Sequence, residues 1–139
     1  SVVNFFYHRL HGLLQKMEIN DITYNIIGAA YKVHSTLGPG LLESAYEACL
    51  AYELRKLNYN VEIQKPLPVV YEEVKLDIGY RIDLLVEKSF IVELKAVETI
   101  NDIHIAQIMT YLKLLNIKIG LLINFNVKDL KQGIKQFIL

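Results

Sequence analysis

An α+β fold is the class this chain predicts, and three observations predict it. Apolar residues keep helical spacing from Ile19 to about Asn58, they alternate along the chain from Tyr80 to Ala96, and a last helical stretch is followed by short apolar runs. The chain has 139 residues, 53% hydrophobic and 22% charged, which suffices for one domain with a sizeable core and is too apolar for disorder. No repeat, low-complexity stretch or linker rich in Ser, Gly and Pro divides it.

The elements follow in order. Ile22, Ile26, Ala29, Val33 and Leu37 form one buried helical stripe, with Asn20 or Asp21 as the expected N-cap. Gly38-Pro39-Gly40 breaks that helix, and Leu42, Ala45, Tyr46, Cys49, Leu50, Leu54 and Leu57 mark a second one ending at Asn58. Val61 to Tyr71 turns β-branched and aromatic and carries Pro66 and Pro68, which favour a sheet edge because proline cannot donate to a ladder. Strands of period two run from Tyr80 to Val86 and from Phe90 to Ala96. Thr99, Asn101 or Asp102 can cap a helix from Ile103 to about Leu115, and Lys118 to Asn124 and Ile134 to Leu139 close the chain as strands. The expected order is ααββββαββ.

Residues 1–16 are set apart. Met17 opens a stretch that reads as a natural start, so residues 1–16 are expected to be an N-terminal extension, either upstream sequence or non-native in origin, and 17–139 the single domain. Ser1 to Lys16 lacks the cationic, apolar and small-residue regions of a signal peptide. No apolar run approaches the roughly 18 to 20 residues that span a bilayer, so no membrane partner is expected. A single cysteine, Cys49, excludes an internal disulfide and a multi-cysteine zinc site, and a cytoplasmic location is the expectation. Fifteen Lys and Arg balance 15 Asp and Glu, so any site for a polyanion must be local.

The chemistry gathers on two strands. Period two places Glu93 and Lys95 on one face of theirs, with Ile91, and leaves Phe90, Val92, Leu94 and Ala96 on an apolar face. If the two strands pair as a hairpin, Asp83 faces Glu93 only when Glu87-Lys88-Ser89 forms a three-residue loop or an equivalent bulge is present; a two-residue loop separates them. Two facing carboxylates cost stability unless something positive lies between them, and lysine or a metal ion could supply it. Hard oxygen ligands suit Mg²⁺ or Mn²⁺, which typically take one or two protein carboxylates. With a lysine two residues from the glutamate to orient water and stabilise charge, that inventory fits phosphodiester hydrolysis. The plain alternative is a solvated sheet face whose ion pairs contribute about 0 to 1 kcal/mol each.

Asp83 followed by Glu93-Leu94-Lys95 resembles the D…(D/E)xK signature of the PD-(D/E)XK nucleases, with Ile82 where the hallmark proline would stand. Gly40-Leu41-Leu42-Glu43-Ser44-Ala45-Tyr46 is similar to the motif that names the GxxExxY branch, and Gln107 with Tyr111 resembles the QxxxY motif of RecB-type nuclease domains. The resemblance runs from about Ile19 to Leu139.

That resemblance implies a restriction-endonuclease-like fold, a central mixed sheet flanked by helices. It implies a nuclease cleaving nucleic acid, with DNA the expected substrate, that uses Mg²⁺ or Mn²⁺. Asp83, Glu93 and the main chain of Leu94 would hold the metal, with Glu43 completing the site. Lys95 would take the catalytic role, and Gln107 and Tyr111 would orient water or substrate, with His104 a weaker member of their stripe. A homodimer is the expected way for so small a domain to grip a duplex. The competing expectation is a catalytically inactive module on the same fold that binds nucleic acid or another partner. For Glu43 the plain reading is a carboxylate favoured by the helix macrodipole; for His34 it is a helix C-terminal cation.

Overall fold

The computed structural model describes residues 1–139. Three helices and seven strands follow one another as α1 (Val2–Leu37), α2 (Glu43–Lys56), β1 (Val61–Pro66), β2 (Val69–Tyr71), β3 (Val74–Leu76), β4 (Arg81–Val86), β5 (Phe90–Lys95), α3 (Asp102–Leu115), β6 (Ile119–Asn124) and β7 (Ile134–Ile138). Five strands form one sheet in the order β1-β4-β5-β6-β7, and β2 and β3 make a separate hairpin. Only β5 and β6 run parallel, joined through α3; the other pairs are antiparallel, so the sheet is mixed. Pro66 ends an edge strand, where its missing N–H costs no ladder bond.

Helices cover both faces of the sheet. Phe90, Val92 and Leu94 of β5 pack with Ile26, Ala30, Tyr46, Leu50 and Leu54 of α1 and α2. Ile91 points the other way and packs with Ile108, Tyr111 and Leu112 of α3, together with Ile82, Leu85 and Leu122. The alternation read along β5 therefore holds, but neither face is solvated. A charged residue on the α3 side of β5 is forced into a core.

Three expectations are corrected. The first helix does not begin at Ile19 with Asn20 or Asp21 as cap: α1 starts at Val2, and the Ser1 hydroxyl accepts the Asn4 N–H at 3.2 Å. Its residues through Asp21 are all exposed, so the buried stripe begins only at Ile22 and Thr23. The order ααββββαββ lacks β3, whose Val74–Leu76 is too short and too exposed to carry a periodic signal. Tyr111 shares the buried face of α3 with Ile108 and Leu112 rather than lying on a separate polar stripe.

Candidate active site

The β4–β5 hairpin sets the geometry. Val86 pairs with Phe90, Leu85 with Ile91 and Leu84 with Val92, which leaves Glu87-Lys88-Ser89 as a three-residue connection. The Ser89 N–H closes on the Val86 carbonyl at 3.0 Å, and Glu87 and Lys88 both take positive φ, 52° and 53°. This is the register that brings Asp83 opposite Glu93. Paired residues stop at Leu84 and Val92, and side chains take over: the Asp83 N–H donates to Glu93 Oε1 at 3.3 Å, and the Leu94 N–H donates to Asp83 Oδ2 at 2.9 Å. Two carboxylates are thus held by main-chain donors where the two strands part.

Their surroundings differ. Glu93 is 4% exposed, and its carboxyl is pushed up to about 9, first by burial and then by the charge of Asp83. Asp83 is half-buried and reaches a cavity of about 650 Å³ lined by Leu41, Leu42, Glu43, Ser44, Glu47, Gln64 and Ala96. Lys95 is not between the carboxylates. It pairs with neither; its Nζ donates to Gln107 Oε1 on α3 at 3.4 Å. The reading of a solvated face with cross-strand ion pairs therefore fails, because Glu93 is buried and makes no ion pair, the nearby Lys95 charge being the smallest influence on its carboxyl.

Leu94 buries its side chain in the core under α1 and α2, so only its main chain can serve the site. Gln107 and Tyr111 line a second cavity, with Leu67, Val69 and Tyr80, on the α3 side. Tyr111 is 5% exposed, and its hydroxyl is raised above the ordinary tyrosine range by burial first and the Glu93 charge second. His104 turns away to the helix end: its Nδ1 accepts the Asn101 N–H at 3.1 Å while Asn101 caps the helix, a reciprocal capping box. His34 is likewise structural, buried with its Nε2 2.7 Å from the Val127 carbonyl oxygen.

Glu43 is the first residue of α2, and its Oε1 accepts the Ala96 N–H at 3.3 Å just beyond β5. What places it is Tyr46. The Tyr46 hydroxyl, fully buried, donates to the Gly38 carbonyl at 2.6 Å and accepts the Leu41 N–H at 3.1 Å, while the ring stacks on Phe125 at 4.5 Å. Gly40 makes the turn between them at φ +100°, a backbone that side chains rarely adopt. The Gly-Glu-Tyr spacing therefore reads as a turn, a carboxylate at a helix start and a rivet.

Three residues of the site escaped the sequence reading. Gln64 on β1 donates through Nε2 to Glu47 Oε2 at 2.6 Å and to Asp83 Oδ1 at 3.1 Å. The Glu47 carboxyl is raised, by burial first, with the charges of Asp83 and Glu43 adding. Glu47 lies one helical turn after Glu43, which is a signal spacing could have caught; Gln64 stood in a segment read only as edge strand. Asn124, 2% exposed, holds the chain beyond β5: its Oδ1 accepts the Val97 and Asn126 N–H groups and its Nδ2 donates to the Val97 carbonyl.

The donor set fits a hard divalent cation. The Asp83 and Glu93 carboxyls lie beside one another with no ion pair to either, and Mg²⁺ asks for only one or two such ligands. No third His, Cys, Asp or Glu closes a ligand cluster with them; Glu43 is held at the Ala96 amide instead.

No curated protein and no solved structure matched the chain. The model of the PD-(D/E)XK nuclease superfamily matches residues 20–137. That span contains both carboxylates, Lys95, α2, α3 and every strand except the last residue of β7. The chain belongs to the PD-(D/E)XK nuclease superfamily.

Proposed function

We propose that the chain is a metal-dependent nuclease that hydrolyses phosphodiester bonds in DNA, of the GxxExxY branch. One observation carries the reading: Glu93 is buried opposite Asp83 where β4 and β5 part, with Lys95 on the same face of β5. Burying a carboxylate without a cation is costly. A fold that keeps one there, facing a second carboxylate, is arranged for charge that arrives with the substrate.

Asp83, Glu93 and the Leu94 main chain would hold Mg²⁺ or Mn²⁺, with Glu43 approaching from α2. When bound, such an ion supplies Lewis-acid stabilisation of phosphoryl charge and makes water more acidic. The chain's own residues do the rest. Lys95 projects from the strand end, where its ammonium can orient water and stabilise negative charge developing on the phosphate. Gln107 holds the Lys95 ammonium from α3, so the lysine is positioned before substrate binds. Tyr111 keeps its proton well above neutral pH and is available as a donor.

Residues 17–139 form the nuclease unit in this reading, cytoplasmic, acting as a homodimer to grip a duplex. No helix is long and apolar enough to cross a membrane. The test is cleavage of labelled single- and double-stranded oligonucleotides in Mg²⁺, Mn²⁺ or EDTA, by the native chain and by Lys95→Ala. Cleavage that needs metal and disappears in Lys95→Ala supports the nuclease, and the preferred strand type separates DNA from RNA and duplex from single strand. Absence of cleavage on every substrate would favour an inactive binding module on the same fold. Sedimentation of the purified chain reads the dimer directly.

A further inference from the structure

Gln64 sits in a backbone conformation that a regular strand does not adopt. The β1–β4 register pairs Ile63 with Leu84 and Lys65 with Ile82, which puts Gln64 opposite Asp83. At that position its φ is +52°, a left-handed value that costs a side-chain-bearing residue about 1 to 2 kcal/mol. The register is the same on both sides and no residue is inserted, but Ile82 packs on the α3 side while Leu84 packs under α1 and α2, so the strand pair changes face at this point. The side chain uses the conformation. Its single carboxamide nitrogen carries two hydrogens, and both meet carboxylate oxygens, Asp83 Oδ1 at 3.1 Å and Glu47 Oε2 at 2.6 Å.

We propose that Gln64 is a positioning residue: its carboxamide fixes the Asp83 carboxylate for the divalent cation and holds Glu47 against the same cavity wall. The inference rests on the nuclease reading and adds to it a residue outside the motifs that carry the resemblance. Asp83 is then oriented from two sides, Oδ2 by the Leu94 N–H and Oδ1 by Gln64. Two fixed hydrogen bonds define the plane of the carboxylate and leave each oxygen a further lone pair for a ligand.

The chemistry of the donor matters. A lysine at position 64 would satisfy both carboxylates but would bring a positive charge that competes with the cation. A glutamate there would add a third negative charge and no donor. A carboxamide donates to two carboxylates without charge, so it can organise them whether or not a cation is bound. Hydrogen-bond partners behind metal ligands carry about 10- to 100-fold in metal affinity.

The experiment measures Mn²⁺ binding to the intact chain by calorimetry and by the Mn²⁺ electron paramagnetic resonance signal, for the native protein, Gln64→Leu, Asp83→Asn and the double variant. Gln64 is exposed, and a circular dichroism melt of each variant confirms that it folds. Gln64→Leu is expected to weaken Mn²⁺ binding by about 10-fold or more with the melt unchanged, and to add nothing once Asp83 is already asparagine. Gln64→Asn, which keeps the donor on a shorter arm, is expected to lie between Gln64→Leu and the native chain. Native affinity in Gln64→Leu, or equal losses in both backgrounds, would overturn the positioning role while leaving the nuclease reading intact. A native chain that binds no Mn²⁺, and whose titration Asp83→Asn does not change, would overturn both together.

Discussion

The Asp83 N–H donates to Glu93 Oε1 at 3.3 Å, although the residue it belongs to carries the charge that most opposes ionisation of Glu93 after burial itself. The two effects differ in size. One main-chain hydrogen bond does not offset the removal of a carboxylate from water, and the Glu93 carboxyl is raised to about 9. The sign for stability follows. A group that binds its proton more tightly folded than unfolded contributes stability that is complete below its unfolded value near 4.5 and is lost as pH rises toward 9. Without metal, the melting temperature should therefore fall between about pH 5 and pH 9 as far as Glu93 governs it, and Glu93→Gln should flatten that fall. Saturating Mn²⁺ should stabilise the native chain at the alkaline end and not Glu93→Gln. A carboxyl carbon NMR titration that finds Glu93 near 4.5 in the metal-free protein would contradict the buried pair.

Lys95 reaches Gln107 Oε1 at 3.4 Å and neither carboxylate, which separates its part from metal binding. Lys95→Ala is expected to lower kcat by about 100- to 1,000-fold, the usual loss when one pre-placed charge-stabilising donor is removed. Mn²⁺ affinity should stay within a few fold of native. Gln107→Ala should cost less, since the ammonium remains and only its orientation is lost. Equal kcat in the native chain and Lys95→Ala would mean that β5 does not carry the chemistry.

Much of this arrangement was legible in the residues. The periods of α2, β4, β5, α3 and β6 are strong, and the three-residue loop Glu87-Lys88-Ser89 was the stated condition for Asp83 to meet Glu93, which the hairpin register meets. What stayed hidden depends on the third dimension. Period two could assign Glu93 to a face but not reveal that α3 covers that face, so its burial was unreadable. Tyr46 stands on the apolar stripe of its helix, which does not show that its hydroxyl works backward on Gly38 and Leu41. Gln64 and Asn124 contact residues 19 and 27 positions distant, and no local pattern marks such a contact. Residues 1–16 present no buried face for a periodic pattern to mark, yet α1 runs through them.

That segment gives a test of where the domain begins. Every residue from Ser1 to Asp21 is exposed, so its removal deletes little packing. A chain starting at Met17 would place Glu18 in its first helical turn and Asp21 soon after, where negative charge is favoured by the helix macrodipole. Deleting residues 1–16 is expected to move the melting temperature by no more than about 2 °C, the scale of a change that touches no core. A fall beyond about 5 °C would show that the exposed apolar side chains of this segment are covered in solution, and would overturn the boundary at Met17.

Tyr46 allows the Gly-Glu-Tyr segment to be tested for what it builds. Its hydroxyl is the shared partner of the Gly38 carbonyl and the Leu41 N–H, and its ring fills core against Phe125. Tyr46→Phe keeps the ring and removes only the hydroxyl, so any loss belongs to the two hydrogen bonds. Leaving buried main-chain groups unpaired costs about 1 to 3 kcal/mol, and urea denaturation should show a loss in that range at unchanged m-value. The loop from Gly38 to Leu41 sets where α2 begins, and Glu43 reaches the Ala96 amide from its first turn. Tyr46→Phe should therefore also loosen Glu43, seen as faster hydrogen exchange at the Ala96 N–H. The exchange of Leu94, whose N–H is held by Asp83, should quicken only as far as the global loss of stability carries it, and Ala96 by more. If both amides exchange faster to the same degree, the variant has weakened the whole domain, and the rivet at Gly38 does not act through Glu43.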